Sequence, residues 1–164
     1  MKRVVCDTGP LLHLREAGVR DLLSRAGEVH IPIAVDLEIQ SYEADWHARR
    51  PAWVHVTQLD SGPALEARSW QQAGLLHYGE SQALALAGQL GADLLLTDGA
   101  AARLLAQSMG LEVHGSLGLI LWAAAMCHLN RPDAETALDP LARSSPWLSP
   151  SVLLAAKAAL DQMA

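Results

Sequence analysis

Cysteine is scarce in this chain: Cys6 and Cys127 are the only two in 164 residues, far apart and inside apolar runs. No CxxC pair or Cys/His ligand spacing accompanies them, which excludes a disulfide framework and a structural zinc site and fits a reducing cytoplasm. Lysine is just as rare, since Lys2 and Lys157 are the only lysines among twelve basic residues. There is no Gly-Lys pair for a phosphate-binding P-loop, and neither GxSxG nor HExxH occurs. Long apolar runs are also missing. The most apolar stretch, Leu117–Cys127, is too short to cross a bilayer and reads as a helix buried nearly all round or shared with a second subunit. The N-terminal MKRVVCD meets Asp7 before an apolar segment forms, so no signal peptide is expected. An excess of positive charge is absent as well, and a net charge of −6 argues against a dedicated nucleic-acid surface.

Short apolar runs that stop at turn residues are abundant. Leu94–Leu96 enters from Gly91-Ala92 and ends at Thr97-Asp98; Val4–Cys6 ends at Asp7-Thr8-Gly9. Such runs read as strands buried on both faces, as in a parallel sheet. The central strand is expected over Ala92–Asp98, and further strands at Glu28–Ile31, Trp53–Leu59 and Leu111–His114. Helices are expected at Pro10–Ala17, Val19–Ala26, Pro32 to about His47, Ala64–Gln72, Glu80–Leu90, Ala100–Met109, Ser116 to about Leu129, Asp133–Leu141 and from Pro150 onward. Ser144–Pro150 reads as a linker. Strands alternating with helices predict a three-layer α/β/α sandwich with a central four- to five-stranded parallel sheet. A length of 164 residues suits one domain, with 132–164 as a C-terminal helical extension.

Four carboxylates stand where they can meet. Asp7 and Asp98 end their strands, at the sheet edge where open α/β folds place ligands. Glu38 lies about two turns into its helix. Glu80 opens another, and its i+3, i+4 and i+7 neighbours are Ala83, Leu84 and Ala87, so it extends an apolar face. Gathered carboxylates repel unless a cation sits among them, and hard oxygen ligands suit Mg²⁺ or Mn²⁺. Each also admits an ordinary account. Glu80 suits a first helical turn, either aspartate suits a cap, and Glu38 suits the surface, as do Asp36 and Glu43. Thr8 and Thr97 are hydroxyls placed to orient ligands or water, or, for Thr97, simply to fill space. Arg103 reads as a surface arginine or a phosphate contact. The histidines show no ligand spacing, and His30, His55 and His114 read as structural. The tryptophans are scattered and form no evident base-stacking platform.

In order along the chain, VVCDTGPL at 4–11, I-P-x-A-V-x-x-E at 31–38, G-E-x-x-A-L at 79–84 and LLTD at 95–98 resemble the PIN-domain family. They are most similar to prokaryotic PIN-like proteins of the kind found as toxins in virulence-associated toxin–antitoxin pairs. The stretch A-R-L-L-A-x-x-x-G-L-E-V-x-G at 102–115 continues the likeness. The resemblance implies a Mg²⁺- or Mn²⁺-dependent ribonuclease, with one or two ions held by Asp7, Glu38, Glu80 and Asp98. It also implies an antitoxin partner and a homodimer. One position departs from the pattern: relatives often carry a second acidic residue after the last strand's aspartate, and here Gly99 stands there. The rival reading is the same fold with a weakened site, acting by binding.

Overall fold

Five short parallel strands set the frame, in the order β3-β2-β1-β4-β5. In a computed structural model, which describes residues 1–144 and 148–163, they are β1 (Arg3–Cys6), β2 (Glu28–Pro32), β3 (Val54–Thr57), β4 (Leu94–Leu96) and β5 (Val113–His114). Val5 pairs with His30 on one side and Leu95 on the other, and Cys6 pairs with Leu96. The register therefore brings the ends of β1 and β4, and so Asp7 and Asp98, to the same edge of the sheet. Val4, Val5, Cys6, Leu95 and Leu96 are all buried, as expected of central strands covered on both faces.

The helices are α1 (Thr8–Glu16), α2 (Leu23–Ala26), α3 (Ile33–Tyr42), α4 (Trp46–Arg49), α5 (Ser61–Gln72), α6 (Tyr78–Leu90), α7 (Ala100–Ser108), α8 (Ser116–Ala125), α9 (Arg131–Ser144) and α10 (Pro150–Gln162). A 3₁₀ turn, Arg20–Leu22, leads into α2. Helix α6 packs across β1, β2 and β4, while α1 packs on α8 and α9. The result is the three-layer α/β/α sandwich with an all-parallel sheet. Asp7 caps α1 by accepting the Thr8 N–H, and Ser149 caps α10 by accepting that of Val152.

Several boundaries differ from the sequence reading. The helix opened by Pro32 ends at Tyr42 rather than near His47, and α4 is a separate turn. Two acids explain the break, and both correct a sequence expectation: Asp36 and Glu43, read as surface charges, are buried. Asp36 accepts from Trp46 Nε1 (2.8 Å) and Arg50 (2.8 Å), with His47 Nε2 at 3.0 Å. Glu43 accepts from Arg20 (2.6 Å), whose guanidinium lies 5.2 Å over the Trp46 ring. Tryptophan burial thus recruits both charges, each paired as a buried charge must be. Helix α9 runs four turns, through Pro140, where the sequence suggested a short helix. Of the expected linker, Ser144 closes α9 and Ser149 caps α10, while 145–147 lie outside the described residues. Helix α8 ends at Ala125, followed by Cys127 at φ 60°. Among the described residues, no helix is long and apolar enough to cross a membrane.

Candidate active site

Asp7 follows β1 directly, so its carboxylate is fixed where the strand gives way to α1. It is buried, its Oδ1 accepts the Thr8 N–H (2.7 Å), and its Oδ2 accepts the Thr97 hydroxyl (2.9 Å). Burial pushes the Asp7 carboxyl up to about 7; the Thr8 and Thr97 bonds oppose this, and the charges of Glu80 and Glu38 add to it. The Thr8 hydroxyl donates to Glu38 Oε2 (2.5 Å), so one threonine ties the β1 aspartate to the α3 glutamate. Glu38 has room only because residue 79 is glycine: a Cβ there would lie 2.6 Å from each Glu38 oxygen.

Glu80 accepts the His77 N–H through Oε2 (3.1 Å), as a glutamate of a first helical turn does. Its Oε1 fills the space that a Cβ on Gly99 would need. Gly99 therefore accommodates Glu80. Asp98, also buried, is held differently from the other three. Its Oδ1 accepts the Ser116 N–H (2.7 Å), and its Oδ2 accepts the Ser116 hydroxyl (2.6 Å) and stands 2.8 Å from His13 Nδ1. Asp98 therefore caps α8, not α7, whose N-cap is Gly99.

All four carboxylates, with Thr8, His13 and His77, line one cavity of about 300 Å³. Thr97 lies beneath it with its hydroxyl on Asp7. Arg103 is not among its lining residues. Among the described residues, no three His, Cys, Asp or Glu side chains already stand in the arrangement that grips a metal ion. The donor set nonetheless fits a hard divalent ion. Every carboxylate is an oxygen donor, and Asp7 is a buried carboxylate beside two others, the surroundings in which a cation replaces a proton.

Sequence reading missed His13 and His77, and gave Ser116 only a helix-capping role. The signal for His13 was its place one helical turn after Gly9, which puts both on the cavity side of α1. His30 behaves as expected of a structural residue, with Nε2 2.7 Å from Glu28 and Nδ1 2.9 Å from Thr57. Cys6 is buried, and burial holds its thiol well above the usual range.

The structure defines the class as a parallel α/β/α sandwich with carboxylates collected over the ends of its central strands. A family model described as a PIN domain matches residues 3–162, and the chain belongs to the PIN-domain family. PIN domains are generally nucleases and typically bind divalent metals. No curated protein matches the chain.

Proposed function

We propose that this protein is a Mg²⁺- or Mn²⁺-dependent endoribonuclease, the toxin-like member of a toxin–antitoxin pair acting in the cytoplasm. The observation that carries the reading is Asp7, buried at the base of a cavity shared with Glu38, Glu80 and Asp98, its carboxyl pushed up to about 7. Asp7, Glu38 and Glu80 would hold the ion, with Asp98 contributing least because its oxygens meet three protein groups, the Ser116 N–H, the Ser116 hydroxyl and His13 Nδ1, against two for Asp7. A bound divalent ion supplies an activated water and stabilises the leaving oxygen of a phosphodiester. The chain's own part is positional: Thr97 and Thr8 orient Asp7, Thr8 fixes Glu38, and His13 with Ser116 fixes Asp98. A homodimer and a protein antitoxin belong to the same reading, supported by exposed apolar side chains such as Leu154 and Val152 on α10 and Met126 after α8.

The test is cleavage of a generic single-stranded RNA with Mn²⁺. Asp7→Asn is expected to lower the rate by about 100-fold or more, and Asp98→Asn by less. Activity equal in wild type and Asp7→Asn refutes the reading. Mn²⁺ binding without RNA cleavage in the wild type selects the rival, a PIN-like module that acts by binding.

A further inference from the structure

A second cavity, of about 450 Å³, lies between α8 and strands β4 and β5 and shares no residue with the acidic one. Leu94 and Leu96 are two apart on β4 and so present one face to it, while Leu119 and Trp122 close it from α8. Helix α8 begins at Asp98, on the acidic edge of the sheet, and runs back along β4. Met126 therefore reaches the opposite edge, where Lys2 precedes β1 and Arg25 in α2 precedes β2. The cavity is thus a slot with apolar walls and two cations at one end.

Neither cation has an ion pair among the described residues, in a chain where 18 acidic side chains outnumber 12 basic ones. Glu112, the one carboxylate on the lining, stands instead 3.0 Å from His114 Nε2. Gly118 keeps the slot open. A Cβ there would meet only His114, at 3.5 Å or more, so nothing in the packing requires glycine. Glycine inside a helix is destabilising relative to alanine, and apolar space left unfilled forfeits packing. Stability alone would fill this position.

We infer that this slot is a binding site for a small amphipathic anion of the fatty-acid type, its apolar chain between Leu94, Leu119 and Trp122 and its negative head at Lys2 and Arg25. A volume of about 450 Å³ falls within the roughly 300–1,000 Å³ of small-molecule sites. The apolar walls select a hydrocarbon body, and the two unpaired cations select the charge of the head. The site stands apart from the acidic cavity, so its failure leaves the ribonuclease reading untouched.

The test is isothermal titration calorimetry of the full chain with octanoate, octanol and octylammonium. Octanoate is expected to bind, octanol about tenfold more weakly, and octylammonium more weakly still. The double variant Lys2→Gln/Arg25→Gln should lose that preference, binding octanoate no better than octanol. Gly118→Leu, whose side chain fills the slot, should abolish binding of both while melting at or above the wild-type Tm. Octanol binding wild type as tightly as octanoate, or an undiminished octanoate affinity in either variant, overturns the site. Wild type that binds no octanoate overturns it too, and a homodimer that Met126→Arg dissociates then gives the face to a second copy of the chain.

Discussion

The carboxyl of Asp7 carries the clearest consequence at the scale of single residues. Its pKa is raised by burial to about 7 in the fold, above the ordinary carboxylate value of an unfolded chain. A raised pKa means the folded state holds the proton more tightly, so this contribution is complete at pH below the unfolded value. It is lost as pH climbs through about 7. The metal-free protein is therefore expected to lose a few kcal/mol of stability between about pH 4 and pH 8. Asp7→Asn should flatten that slope; denaturant melts across the pH range check it. Of this site, the four carboxylates and the two threonines were legible in the sequence because strand ends and apolar helix faces mark their positions. The His13–Asp98–Ser116 contact was not, because it joins three segments whose approach only the folded sheet determines. Gly99 shows the same limit: it read as a missing acid, and the reason for it, the carboxylate of Glu80, lies nineteen positions earlier in the chain.

Among the elements, α3 and α4 show where pattern reading stops. Periodicity saw one helix from Pro32 to His47, since nothing between Tyr42 and Trp46 is a strong breaker. The break is tertiary: Trp46 turns inward, Asp36 accepts its indole N–H, and Arg20 covers its ring. Asp36→Ala leaves the Trp46 donor and the Arg50 charge without their acceptor and should cost about 3 kcal/mol, measured by chemical denaturation. Asp36→Asn keeps one acceptor and should cost less. The five strands, by contrast, were legible in place and order, because a short apolar run between turn residues in an α/β chain has few other ways to bury itself, though Trp53–Leu59, Ala92–Asp98 and Leu111–His114 each read longer than the Val54–Thr57, Leu94–Leu96 and Val113–His114 that form.

For the whole molecule, the site exists only when β1, α3, α6 and β4 are assembled. An ion that binds the folded chain alone stabilises it by about 2.7 kcal/mol at a concentration 100 times its Kd. Mn²⁺ should therefore raise the Tm by roughly 5–10 °C for a chain of this size, a chelator should reverse the rise, and Asp7→Asn should abolish it. Thermal scans with and without EDTA read this directly.

The strand order has a consequence for how the chain is made. Of these five strands the one made earliest lies in the middle of the sheet, and Leu94–Leu96, its partner on one side, is synthesised some ninety residues later. Thr97, which orients Asp7, and Ser116, which clamps Asp98, emerge later still. A nascent chain holding only the first half of the sequence has Asp7, Thr8, Glu38 and Glu80 but lacks β4, Thr97 and Asp98. Until Thr97 has been made the pocket lacks the hydroxyl that orients Asp7, and until Ser116 has been made it lacks the groups that clamp Asp98, so its four carboxylates cannot be set together on a shorter nascent chain.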